Sequence, residues 1–166
     1  MNKLFLLLAL TGLFSCQPED QPADVAARAS GAYVIQSYVV NGDTVYSTSG
    51  INKLGVSNFS IRVGRKASDT VAVEYAQNRS TLPVANFSNI PVTGTRIVYI
   101  EEKGGKFQLS SYEKAPFVYE SSIDGNRFYE RTVGYNVDSL EARWRFDSLK
   151  SPYTPPLREI IISAQK

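Results

Sequence analysis

From Gly31 to the end of the chain, apolar and polar residues alternate in short runs, each broken by Gly, Asn, Asp or Pro. A period of two sends successive side chains to opposite faces of a strand, so this texture buries one face and wets the other only in a sheet. VSNFSIRVGR sets Phe59, Ile61 and Val63 against Asn58, Ser60 and Arg62. TVAVEYAQ places Val71, Val73 and Tyr75 together. GAYVIQSYVV, residues 31–40, is β-branched and aromatic and ends at NGD, a strong hairpin signal. TRIVYIEE and KFQLSSYE flank KGG, and PFVYES and RFYERTVGYNV flank SIDGN, so both pairs read as hairpins. REIIISAQ reads as the last strand. SLEARWRFDSLK, residues 139–150, is the one helix-compatible stretch, but Leu140, Ala142, Trp144 and Phe146 alternate and favour a strand.

The expected fold is all-β: an antiparallel up-and-down barrel of eight to ten strands over residues 31–166, with a β-sandwich as the alternative. Closing the sheet removes its exposed edges, and the short hairpin links favour neighbours in chain order. NRSTLPVANFSNIPVTG, residues 78–94, is a long connection with two prolines.

The other informative stretch is MNKLFLLLALTGLFSC. Lys3 is followed by a mostly apolar run from Leu4 to Phe14 and then by Ser15. That is the layout of a secretory signal. A transmembrane helix needs about 20 apolar residues, well beyond this run. Residues 1–15 are therefore expected to be a signal peptide, and their removal leaves 151 residues, the size of one domain.

Leu13-Phe14-Ser15-Cys16 resembles the bacterial lipoprotein signal, the lipobox. In that family the signal is cut before the cysteine, whose thiol carries a diacylglycerol while its amine is acylated, palmitate being the expected chain. Two or more chains hold a protein firmly to a membrane. The resemblance implies lipidation of Cys16, a membrane as partner, and an outer-membrane address on the periplasmic side or the cell surface. The alternative is a secreted protein with a free thiol. Residues 16–30 read as the lipidated tether, with Ala23 to Ala29 forming at most a helical turn too short to be stable alone. QPED after Cys16 is similar to the acidic segments that direct Bacteroidota lipoproteins to the surface. Asp43-Thr44-Val45, Asp69-Thr70-Val71, Asp138-Ser139-Leu140 and Asp147-Ser148-Leu149 match that phylum's O-glycan acceptor pattern.

Missing residues narrow the chemistry. The chain has no histidine and one cysteine. Zinc sites built on those residues, Ser-His-Asp and Cys-His nucleophiles, and internal disulfides are all excluded. GRK at 64–66 and KGGK at 103–106 lack phosphate-loop spacing and read as turns. The mature charge of +1 offers no basic field for nucleic acid. The chain reads as non-catalytic and without a cofactor, the residual catalytic option being a carboxylate pair involving Glu74 or Glu130.

Gly31-Ala32-Tyr33 followed by SYVVNGDT resembles the opening of lipocalin-like domains on small Bacteroidota lipoproteins. The family pattern is Gly-x-Trp, with a late Arg packed over the ring at the closed end of the barrel. Tyr33 stands in place of the Trp, and Arg158, Arg143 and Arg145 are the candidate partners. The resemblance implies a small apolar ligand, with an envelope protein as the alternative partner. Tyr33, Phe59, Tyr75, Tyr99 and Trp144 are the rings expected to line its cavity; Tyr119 and Tyr129 also fall in strands. The same rings serve equally to fill a core.

Overall fold

The computed structural model describes residues 23–79, 94–111, 118–135 and 157–166. One helix, α1 (Val25–Ala29), precedes nine strands: β1 (Gly31–Val40), β2 (Asp43–Ser47), β3 (Val56–Ala67), β4 (Thr70–Arg79), β5 (Gly94–Lys103), β6 (Lys106–Ser111), β7 (Val118–Asp124), β8 (Arg127–Tyr135) and β9 (Leu157–Gln165). Strands β3 to β9 follow one another as antiparallel neighbours, and β1 pairs with both β3 and β9. Those eight strands close a lipocalin-like up-and-down barrel. Strand β2 lies beside the second half of β1, on the edge whose first half β3 takes. The expected barrel is the observed one, and the sandwich alternative falls with the β1–β9 pairing. The proposed strand at 139–150 lies outside the described residues.

Alternation builds the interior, and bulges keep it in phase. Tyr33 and Ile35 point inward on β1, and so do Tyr38 and Val40, an odd step further on. The register against β9 slips between Ile35 and Ser37, so Gln36 is the extra residue that returns the strand to phase. Strand β3 repeats the device. Val56 is buried, then Phe59, Ile61 and Val63, and the slip falls between Ser57 and Ser60. Asn58 sits there at φ 52°, a left-handed conformation that asparagine tolerates better than most side chains. It therefore belongs to a bulge and not to the regular outer row with Ser60 and Arg62. Outside, charges pair across strands: Arg131 Nε lies 2.7 Å from Glu159 and Arg131 Nη1 3.3 Å from Glu120.

The two ends differ. At one end three two-residue turns join neighbours, at Ser68-Asp69, Gly104-Gly105 and Gly125-Asn126. Gly104 and Gly105 both have φ above +60°, the conformation of a hairpin turn twisted to match its strands. The second hairpin is tighter than its sequence suggests: Ser121 to Asp124 continue β7, leaving Gly125-Asn126 as the whole turn. Arg79, Gly94, Ser111, Val118, Tyr135 and Leu157 end their strands toward the opposite, open end, where the hairpin at Asn41-Gly42 and the stretch 48–55 also lie.

Helix α1 stops the end with the tight turns. Asp24 caps it, its Oδ1 accepting from Ala27 N at 2.8 Å while Oδ2 meets Arg65 Nη2 at 2.7 Å. The Arg65 guanidinium, with the Ala27 N–H, holds the Asp24 carboxyl below its ordinary range. Ala26 and Ala29 are buried against the barrel. Tyr33, fully buried, donates from Oη to Ala29 O at 3.0 Å and packs against Phe128 at 5.8 Å between ring centres. Residues ahead of Gly31 thus pack on the barrel: a five-residue helix too weak alone is held by tertiary packing.

The cation over Tyr33 is Lys166, with Nζ 5.1 Å from the ring centre and 3.2 Å from Ser30 O. This corrects the expected Arg158, which lies opposite Gly134 near the open end. Strand β9 runs toward the closed end, so its last residues reach Tyr33 and its first cannot. Gly31 belongs to the same arrangement, since a β-carbon there would strike the Lys166 side chain. Arg143 and Arg145 lie outside the described residues.

The ring and the hydroxyl of Tyr33 should be separable. Tyr33→Ala should cost about 3–5 kcal/mol of unfolding free energy. Tyr33→Phe, losing only the bond to Ala29 O, should cost about 0.5–1.5 kcal/mol. Urea denaturation of the two variants checks this, and equal losses would mean that the ring does not hold this end.

Candidate functional site

The barrel interior is packed over its closed half and hollow toward its open end. Ile35, Ile61, Val63, Val71, Val73, Val98 and Ile123 fill the closed half with almost no exposure. Nearer the mouth, Phe59 is clamped between Tyr38 and Tyr46, at 5.6 and 5.3 Å. Beside that aromatic group opens a cavity of about 150 Å³. Tyr38, Ile160 and Ile162 form its apolar wall. Tyr75, Arg96, Glu130 and Thr132 form the polar one.

Each polar group arrives by strand alternation. Tyr75 follows Val71 and Val73 on the inner row of β4; Arg96 precedes Val98 and Ile100 on β5; Glu130 follows Phe128 on β8. Glu130 is therefore an inward carboxylate, its residue only 3 % exposed. Its Oε2 accepts from Tyr75 Oη at 2.5 Å. Its Oε1 accepts from Thr132 Oγ1 at 3.3 Å and from Arg96 Nη1 at 3.4 Å. The first bond is short, as expected of a hydroxyl on a carboxylate; the other two are long. Arg96 lies over the Tyr119 ring, its Cζ 4.8 Å from the ring centre. The Tyr119 hydroxyl is buried close to Arg96, Glu130 and Ser121, with no well-formed hydrogen bond among the described residues.

Burial, with the Glu130 charge added, pushes the Tyr75 hydroxyl well above its ordinary value. Burial and then Glu130 do the same to Tyr119. Burial works against the Arg96 charge, but Glu130, Tyr75 and Tyr119 together outweigh it and the guanidinium is raised. The site is thus a buried carboxylate with one tyrosine donor and one opposing guanidinium.

Of the five rings expected around a ligand, Tyr75 lines the cavity. Tyr33 is under α1 at the closed end, and Phe59 is packing material behind Tyr38. Tyr99 points outward and is 44 % exposed: its inward neighbours on β5 are Val98 and Ile100, so alternation excludes it. Trp144 lies outside the described residues, as does Cys16. Tyr129 is also on the outer face. Arg96, Thr132, Ile160 and Ile162 were not foreseen. The inner phase of β5 and β8 would have named Arg96 and Glu130 as inward, but a charged residue in an inner row is ordinarily read as solvated. Glu74 lies on the row opposite Tyr75, so it does not join Glu130 in a carboxylate pair.

Among the described residues no group of three or more potential ligands could hold a metal ion. Of the glycan tripeptides, Thr70 is buried and its hydroxyl bonds Asp69 Oδ1 at 3.0 Å, whereas Thr44 is half-buried on β2. The tripeptides at 138–140 and 147–149 lie outside the described residues. No family model, no curated protein and no solved structure matches this chain.

The tyrosines set an alkaline limit. Burial pushes the Tyr33 hydroxyl from its ordinary 10 up to about 12, and Tyr75 and Tyr119 move the same way. Above pH 10 the unfolded chain releases phenolic protons that the folded barrel keeps. The Tyr33 contribution is complete below pH 10 and is lost as the pH rises through about 12. Stability measured by urea denaturation should fall over that window, and less steeply in Tyr33→Phe.

Proposed function

We propose that this protein is a lipid-anchored envelope protein that holds a small, mainly apolar molecule in the open end of its barrel without transforming it. The cavity beside Tyr38, Ile160 and Ile162 carries this reading: a packed barrel needs no void of about 150 Å³ next to a buried carboxylate. A space of this size is the scale that accommodates benzene. Glu130 and Arg96 give the molecule a polar end to meet, and among the described residues no second carboxylate lines the cavity to form a paired-acid site. The alternative of an envelope subunit with a filled core is less well supported, because the described residues leave that cavity unfilled.

The anchor belongs to the same proposal and rests on Leu13-Phe14-Ser15-Cys16. The chain enters the barrel at the closed end, at Asp24. Eight residue-to-residue steps lead from Cys16 to Asp24, a span of at most about 26–29 Å. A lipid there would moor the stopped end and leave the mouth facing away from the membrane.

Two experiments test these parts separately. In cell fractionation, Cys16→Ala should move the protein out of the membrane fraction or leave it uncleaved; an unchanged membrane fraction overturns the anchor. In thermal melts of the mature protein, a small apolar ligand at about 100 times its Kd should add about 2.7 kcal/mol and raise Tm by about 5–10 °C. A flat response across fatty acids, sterols, haem and carotenoids would count against the ligand-holding role.

A further inference from the structure

We propose that the open-end cavity selects a small neutral molecule whose head carries a hydrogen-bond acceptor beside a donor, an amide above all, and that Arg96 and Glu130 read the head together. This rests on the ligand-holding role and specifies its chemistry.

The argument begins with charge. Among the described residues, Arg96 and Glu130 are the charged side chains lining the cavity, and they cancel. A carboxylate entering beside Arg96 would also meet the Glu130 carboxylate. An ammonium or amidinium approaching Glu130 would meet the guanidinium. Either ion brings one uncompensated charge into a largely desolvated place, which is costly. A neutral head brings none.

The argument continues with geometry. The Arg96–Glu130 contact is 3.4 Å, beyond the 2.7–2.9 Å or so of a well-made charged hydrogen bond. Glu130 Oε1 is held by two long contacts, while Oε2 is committed to Tyr75 at 2.5 Å. Oε1 can thus accept a ligand N–H without breaking the short bond. The guanidinium has five N–H donors in a planar fork. Stacked on Tyr119 and with its side chain 38 % exposed, it sits at the border between cavity and solvent. A planar amide lying edge-on to the pair would accept from Arg96 and donate to Glu130 Oε1. Its body would rest on Tyr38, Ile160 and Ile162.

Four probes of nearly one shape decide it: benzamide, benzoate, benzamidine and toluene. Binding to the mature protein is measured by calorimetry at neutral pH. Benzamide should bind at least about tenfold more tightly than each of the others. Glu130→Gln leaves a net positive wall and should shift preference to benzoate. Arg96→Gln leaves a net negative one and should shift it to benzamidine. Benzoate or benzamidine matching benzamide on the unmodified protein would overturn the neutral-head proposal. Toluene matching benzamide would overturn it too, while leaving a purely apolar ligand role standing. Absence of binding by all four would remove the cavity's role as a ligand site and this proposal with it. The comparison on the unmodified protein decides even if a variant does not fold.

Discussion

The pairing of β1 with β9 is the constraint on which the rest depends. Val34 to Val40 meet Ile160 to Gln165, joining the first strand to the last. Until that seam forms, the other strands make an open sheet with two bare edges and a half-wet apolar face. Once it forms, the inner rows of eight strands enclose one core. The chain has no disulfide with which to close the loop, so the seam is held by hydrogen bonds and by what packs behind it. The bulge at Gln36 matters for this reason. A strand of ten residues in strict alternation would turn Tyr38 and Val40 outward, and the seam would lose half its inner row.

The seam also divides the interior into two environments. At the closed end β9 finishes beside the start of β1, and Lys166 comes to lie over Tyr33 under α1. The helix, the tight turns and that ring leave no route in. At the open end the same two strands contribute Tyr38, Ile160 and Ile162, and the wall across from them is supplied by β4, β5 and β8. Those walls carry Tyr75, Arg96 and Glu130 where the closed half carries valine and isoleucine. A barrel filled along its whole length would be more stable with apolar residues there. A buried carboxylate held by a tyrosine and opposed by a guanidinium is the feature that stability alone does not explain.

Much of this was legible in the sequence, and the reasons for the rest are physical. Period-two runs such as Phe59, Ile61 and Val63 announced both strand and inward face, because alternation is a local property of the backbone. The glycine pair at 104–105 announced its hairpin for the same reason. Tyr99 was misplaced because an aromatic ring in a strand carries no mark of its side; only the phase set by Val98 and Ile100 gives it. Lys166 was missed because its role depends on which way the last strand runs. Arg158 resembled the expected residue in kind but stands at the wrong end of β9. Helix α1 was underrated because its five residues gain stability from Ala26 and Ala29 buried against the barrel and little from propensity. The cavity itself was not legible at all, since a void is a property of many strands at once.

The placement of charge connects address to role. The N-terminal segment joins the barrel at the closed end, where Asp24 caps α1 and binds Arg65. Anchoring through Cys16, as proposed, would keep that end near the membrane and turn the mouth toward solvent. The polar pair sits at the mouth, with Arg96 part-exposed and Glu130 sunk behind it. An approaching molecule would meet the guanidinium first and the carboxylate second. An anion would be drawn in by the first and rejected by the second; a cation would be turned back at the entrance. That sequence of fields, built from one arginine and one glutamate on the polar wall, would pass a neutral head that turns its donor inward to Glu130 and leaves its acceptor on Arg96.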